Sequence, residues 1–194
     1  MKKIILSALA VFAFALTNAQ ETKFGLKAGL NIANQKFEAQ GSSVTANSIL
    51  GIQFGGFAEI NVSEKFAIQP EVLFSTEGSK LKAEGTNVTF NLAYINIPVM
   101  AKFYPVEKFS LQAGPQLGML VSAKGEVNGG NKEDIKEGYK SINFGLNLGA
   151  GYEFTDNLLV DLRYNFGLSD IAENNEEGLK MTGSVFSIAL GYKF

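Results

Sequence analysis

INFGLNLGAGYEF, residues 142–154, alternates without a break. Ile142, Phe144, Leu146, Leu148, Ala150, Tyr152 and Phe154 fall on one face of an extended chain. Asn143, Gly145, Asn147, Gly149, Gly151 and Glu153 fall on the other. A period of two marks a β-strand with one apolar side. The polar side is the informative one. A solvated strand gains little from so many glycines, which weaken it for want of a side chain. A cramped interior has a use for them.

The same alternation recurs along the chain. FGLKAGLNI places Phe24, Leu26, Ala28, Leu30 and Ile32 together, and LLVDLRYNFGL does the same for Leu158, Val160, Leu162, Tyr164, Phe166 and Leu168. Marking each run predicts eight strands, near 23–34, 49–61, 66–76, 88–104, 109–121, 140–154, 158–169 and 183–194. The fourth run changes parity near Tyr94–Ile95: Phe90, Leu92 and Tyr94 give way to Ile97, Val99, Ala101 and Phe103. A β-bulge there would account for the change.

Connections alternate in length. Those at 62–65, 105–108 and 155–157 are tight, and those at 35–48, 77–87, 122–139 and 170–182 are long and polar. The phrase SEKFAIQPE returns as VEKFSLQAG and, more loosely, as TDNLLVDLR. Each copy reads as a short turn followed by an ascending strand. Short turns at one end and long loops at the other are the pattern of an up-and-down outer-membrane barrel.

The character of the two faces fixes which side meets lipid. The apolar face carries essentially no charge, and one Arg or Lys there would cost roughly 2–4 kcal/mol at mid-depth. The polar face carries Lys27, Lys102, Arg163 and Lys193 against Glu59, Glu71, Glu153 and Asp161. Four charges of each sign suit a poorly hydrated lumen in which they pair. A soluble periplasmic ligand-binding barrel would bury its apolar face and show charge outside. With no Trp in the chain, Phe24, Phe66, Phe103, Tyr104, Phe109, Tyr152, Phe154, Tyr192 and Phe194 are expected to form the interfacial girdle beside the short turns.

The first residues, MKKIILSALAVFAFALTNAQ, carry Lys2 and Lys3 ahead of an uncharged stretch from Ile4 to Leu16. Small residues at Thr17 and Ala19 place a signal-peptidase cut between Ala19 and Gln20. The chain of 194 residues is therefore divided into a signal peptide, 1–19, and one barrel domain, 20–194. Its last strand presents Phe186, Ile188, Leu190, Tyr192 and Phe194 on one face. A terminal aromatic on such a strand resembles the signal read by the outer-membrane assembly machinery.

FGLKAGLNIA, FAIQPEVLFSTEGSK, LAYINIPVMAKFYP, LQAGPQLGMLVSAK and LRYNFGLSDI resemble the PorT-like outer-membrane β-barrel family, also described as the porin family. Tyr94 to Pro98 and Ala113 to Gly118 are the most specific parts. The resemblance implies an eight-stranded barrel in the outer membrane of a Gram-negative bacterium. It implies little about activity, although the name-giving member is linked to protein secretion. Pro70, Pro98 and Pro115 lie inside strands, where bulges or loosened ladder bonds are expected.

Chemistry is narrowly bounded. The chain has no His, so Ser–His and Asp–His mechanisms are out of reach, and no Cys, so disulfides and thiolate sites are too. Net charge is −2, with no basic surface for nucleic acid. No catalytic, cofactor-binding or metal residue is expected. Asp170, Glu173, Glu176 and Glu177 supply oxygen ligands but lack the spacing of a calcium loop, so a solvated loop is expected. Lys27, Glu59, Lys102, Glu153 and Lys193 should crowd the periplasmic half of the lumen, with Gly145, Gly149 and Gly151 leaving room for water. The reading is a barrel with a structural, binding or assembly role, whose partners are membrane lipid, the assembly machinery and proteins at the outer loops. The rivals are a narrow passive channel and an accessory subunit of a secretion or surface machine.

Overall fold

The computed structural model describes residues 22–39, 41–83, 85–173 and 178–194. The signal segment, with Ala19 and Gln20, lies outside them, as do Glu176 and Glu177. The strands are β1 (Thr22–Ala39), β2 (Ser42–Thr45), β3 (Asn47–Ser63), β4 (Phe66–Ala83), β5 (Thr86–Val106), β6 (Phe109–Val127), β7 (Lys132–Asp134), β8 (Ile142–Glu153), β9 (Leu158–Gly167) and β10 (Lys180–Lys193). A single turn of 3₁₀-helix covers Lys136–Gly138.

Eight of these strands form the wall, in the order β10–β9–β8–β6–β5–β4–β3–β1, all antiparallel. The ring closes where β1 pairs β10, from Gly25–Lys193 to Glu38–Lys180. Closure leaves no backbone edge for the hydrocarbon to desolvate. The two remaining strands are outer additions: β2 folds back on β1 and β7 on β6.

The repeated phrase forms the short turns. Ser63 pairs Phe66 around Glu64–Lys65, and Val106 pairs Phe109 around Glu107–Lys108. Near them Phe66 stacks with Phe103 at 4.9 Å, Tyr152 with Phe154 at 5.3 Å and Tyr192 with Phe194 at 5.6 Å. Tyr104 leaves this girdle. Its hydroxyl turns inward and is shared between Glu59 and Glu153, because it shares the parity of Lys102 rather than of Phe103.

Three expected loops are largely strand. The β4–β5 ladder runs out to Ala83–Thr86, β1 to Ala39, and β6 to Val127. Asn128 and Gly129 then turn the chain with φ of +51° and +74°, the sign that a tight hairpin requires at both positions. Polar composition suggested loops, but backbone pairing within each hairpin continues through these segments.

The parity change in β5 does not occur. Leu92, Tyr94, Asn96, Pro98, Met100 and Lys102 are all buried, an unbroken alternation on the lumen side. The irregularity lies across the ladder. Ala93 pairs Ser122 and Tyr94 pairs Leu120, so Val121 of β6 is the extra residue. The inward side of β6 therefore moves from Leu120 to Ala123. Phe90, Leu92 and Tyr94 read as lipid-facing because they are apolar. Leu92 and Tyr94 instead point into an apolar cluster at the outer end of the lumen, with Leu120, Ala123, Tyr139, Ile171, Ala172 and Met181, while Phe90 is half-buried with its ring 6.1 Å from that of Phe37.

The prolines leave the register intact. Pairing passes from Pro70–Val99 to Leu73–Asn96, and from Pro98–Gln116 to Ala101–Ala113, without a shift. The ladder bonds between those pairs are the loosened ones, and no bulge forms there. Pro115 stays paired with Leu146.

Ile52, Leu30, Ile188 and Leu162 are paired in sequence across four strands and form an exposed outward row. Leu162→Arg should destabilise the barrel by about 2–4 kcal/mol, the cost of a guanidinium at mid-depth. Urea titration of folding into lipid vesicles measures it; a loss below about 1 kcal/mol would place Leu162 away from hydrocarbon.

Candidate functional site: the barrel interior

The lumen is organised in layers. Nearest the short turns, Glu59 and Glu153 face Lys102 and Lys193. Lys193 Nζ lies 3.1 Å from Glu59 and 2.7 Å from Glu153, and Lys102 Nζ bonds the other Glu59 oxygen. The single Tyr104 O–H is shared between the two carboxylates, its oxygen 3.0 Å from Glu59 and 3.1 Å from Glu153. The layer holds two positive and two negative charges.

The next layer repeats that arithmetic. Lys27 Nζ lies 3.0 Å from Glu71 and 2.6 Å from Asp161. Arg163 grips Glu71 with two nitrogens, at 2.8 and 3.0 Å, and reaches Asp161 at 3.0 Å. Gln112 accepts from Arg163 Nε at 3.0 Å and donates to Asp161 at 2.6 Å. Gln69 joins the layers: its carbonyl accepts from Lys102 at 3.1 Å and its amide donates to Glu71 at 2.6 Å. All eight charged residues singled out in the sequence thus belong to one connected set.

Buried ions demand this completeness. Each loses several kcal/mol of hydration on leaving water, and only close partners and hydrogen bonds offset that. Backbone placement makes the packing possible. A Cβ on Gly149 would come within 2.8 Å of Arg163 Cγ, and one on Gly151 within 2.4 Å of Gln112 Nε2. These glycines were expected to leave room for water; the space is taken by the side chains of the network. Lys27 also lies 5.2 Å from the centre of the Phe57 ring.

Above the ions lies a belt of amides and hydroxyls. Asn31 donates to Ser75 at 2.9 Å, Ser75 to Glu77 at 2.8 Å, and Asn96 to Glu77 at 2.9 Å. Asn165 donates to Asn147 at 3.2 Å, and Asn147 to Gln116 at 3.1 Å. The apolar cluster then closes the outer end. Burial pushes the Tyr139 phenol in that cluster above its ordinary range, against a hydrogen bond with Gln35.

Gln69, Glu77 and Gln112 were not singled out in the sequence, and Tyr104 was assigned to the girdle. Parity marks three of them: Gln69 and Tyr104 stand two residues, and Glu77 six, from a lumen charge on the same strand, whereas β6 has no lumen charge to mark Gln112. The residues expected to act as an assembly signal lie elsewhere. Phe186, Ile188, Leu190, Tyr192 and Phe194 are exposed on the outer wall. In the 170–182 segment, Asp170 accepts from the backbone of Ala172 and Met181 and pairs with Lys140, so it braces the loop rather than facing out as a ligand. Among the described residues no group of three or more acidic side chains is placed to hold a metal ion.

A closed antiparallel wall of eight strands is the fold that the comparisons match. Residues 18–173 fit the family described as "Outer membrane protein beta-barrel domain". The chain belongs to this family. It sits in the outer membrane, with the apolar wall in the bilayer. Among solved structures, the crystal structure of Neisserial surface protein A (NspA) is 18% identical, with a TM-score of 0.61 over 90% of this chain and 100% of that one. The attachment invasion locus protein Ail of Yersinia pestis is 15% identical, with a TM-score of 0.51 over 90% and 100%. Identities this low speak for the fold alone. No curated protein matches the sequence.

Arg163→Met leaves Glu71 and Asp161 with one cation between them. It should cost about 3–5 kcal/mol of barrel stability, the usual penalty for a buried charge stripped of its partner. Adding Glu71→Gln should restore part of that loss. Equilibrium unfolding of the three variants in lipid vesicles decides it; additive losses would mean the pair is not coupled.

Proposed function

We propose that this family member is an exported barrel with a structural, binding or assembly role and no catalysis, and that it is not a diffusion pore. The supporting observation is the filled lumen. Two neutral ion layers occupy the periplasmic half and an apolar cluster occupies the outer end, with cavities of about 20 Å³ between them, room for roughly one water each. Eight strands enclose little more than their own side chains. The charged groups are held by one another, and the chain has no His to serve as a general base.

Within the family, the stretches quoted above support a PorT-like membership. Interaction falls to the outer hairpins β4–β5 and β6–β7, because binding residues sit most often on loops carried by a rigid scaffold. Residues 1–19 act as the export signal, cut before Gln20, and residues 20–194 form the barrel domain. Phe186, Ile188, Leu190, Tyr192 and Phe194 serve as the assembly signal, their exposed row available to the machinery before closure against β1.

Three experiments test this reading. Purified protein in planar bilayers should give no stable conductance steps; steps of a porin type would favour the passive-channel alternative. Deleting Phe194 should lower the amount of heat-modifiable barrel recovered from outer membranes by several-fold. Unchanged recovery would remove Phe194 from any assembly role. Crosslinking in native membranes that captures a stable secretion complex would favour the accessory-subunit reading.

A further inference from the structure

The lipid-facing wall carries a groove near the short turns. Its floor is Ala101 of β5 and Ala113 of β6, which are paired directly across the ladder. Phe66 and Phe103, with ring centres 4.9 Å apart, stand around that floor together with Leu111 and Leu148. Lys102 and Gln112 border the groove from beneath, but their polar ends are held in the lumen by Glu59, Gln69 and Asp161. The groove is almost wholly apolar. Its volume of about 430 Å³ lies within the roughly 300–1,000 Å³ of ligand sites.

A second observation concerns the repeated Glu-Lys-Phe phrase. Its two full copies are the turns beside this groove. Phe66, which lines the groove, directly follows Lys65. The Lys65 carbonyl accepts from the Tyr104 amide at 2.9 Å, next to Phe103. The Glu107–Lys108 turn joins β5 to β6, the strands of the two floor alanines. Its Lys108 carbonyl accepts from the Glu153 amide at 2.7 Å, at the end of the strand that carries Leu148. Glu64, Lys65, Glu107 and Lys108 are all exposed. The turn between β8 and β9 carries Asp156 but no lysine.

Width, surroundings and charge name the occupant. The floor spans two adjacent strands, about 4.8 Å apart. That suits a single hydrocarbon chain and not a helix, which is about 10–12 Å across with its side chains. The groove is continuous with the wall that meets the bilayer, so the chain at hand is a lipid's. Floor and surrounding side chains contact it on several sides at once, and such contacts add up. Short turns of outer-membrane barrels lie on the periplasmic side, which selects the leaflet. Each adjoining turn sets an ammonium beside a carboxylate, the complement of a headgroup that carries a phosphate and an ammonium. We propose that the groove holds one acyl chain of a zwitterionic glycerophospholipid of the periplasmic leaflet, whose phosphate and ammonium pair with the lysines and glutamates of the two turns. This site goes beyond the structural role and does not depend on it.

Native mass spectrometry of the barrel in mild detergent tests this. The protein is given equal amounts of phosphatidylethanolamine and phosphatidylglycerol with the same chains. A one-to-one adduct is expected, with phosphatidylethanolamine retained at least about threefold over phosphatidylglycerol. This arm needs no variant, and no adduct, or equal retention of the two lipids, would overturn the proposal. Ala113→Phe fills the floor and should lower the adduct by about fivefold or more. Ala28→Phe, the same exchange at an exposed outward alanine of β1, should leave it unchanged. Equal adducts in the native protein and both variants would mean an unselective lipid coat and overturn the proposal. Glu64→Gln with Glu107→Gln removes the partners of the ammonium and should shift the preference towards phosphatidylglycerol; an unchanged preference would overturn the headgroup assignment. A protein dimer that Ala113→Phe dissolves would overturn the proposal in favour of a contact between two copies.

Discussion

A β-sheet in hydrocarbon cannot keep an edge. Every backbone amide and carbonyl exposed there costs several kcal/mol, so the wall must return to its own beginning. The β1–β10 ladder meets that demand. The other features of the structure follow from closure. A ring of eight strands has an inside too narrow for bulk water, and polar side chains alternate into it whether or not water is present to receive them. Charge must then cancel over a few ångströms. The two four-charge layers joined through Gln69 are the form that cancellation takes.

The same constraint explains the glycines and the amides. Arg163 and Gln112 reach their partners because the facing positions on β8 carry no side chain. Asn and Gln bridge spaces between ions without adding charge. At the outer end the lumen changes solvent, so to speak: Leu92, Tyr94, Leu120 and Met181 bring hydrocarbon inside the barrel. A polar interior would have to be either wet or fully paired there. An apolar one needs neither.

The fold was legible in the sequence to a large extent, for a physical reason. Lipid tolerates no charge on the outward face, so INFGLNLGAGYEF and its relatives declare both their period and their orientation. The eight lumen charges were legible from parity alone. What failed was the rule that apolar means outward. Leu92 and Tyr94 broke it because an apolar inner cluster looks, one strand at a time, like a change of face. The bulge that shifts parity was assigned to β5 when it lies at Val121 of β6, and only pairing reveals which strand carries the extra residue. Tyr104 was assigned to the girdle by residue type, where parity assigns it to Glu59 and Glu153. Glu77 could not be distinguished from any other strand glutamate until its Ser75 and Asn96 partners were visible.

The central claim is that the apolar face meets lipid and the charged face is sealed inside. The chain has no cysteine, so single cysteines can be placed at Leu30, Ile52, Leu162 and Ile188, the outward band shared by four strands, and spin-labelled in lipid nanodiscs. All four labels should collide freely with oxygen dissolved in the bilayer and be shielded from a water-soluble nickel reagent. Labels inaccessible to oxygen, or accessible to nickel, would place this face in a protein core or in water and contradict the account.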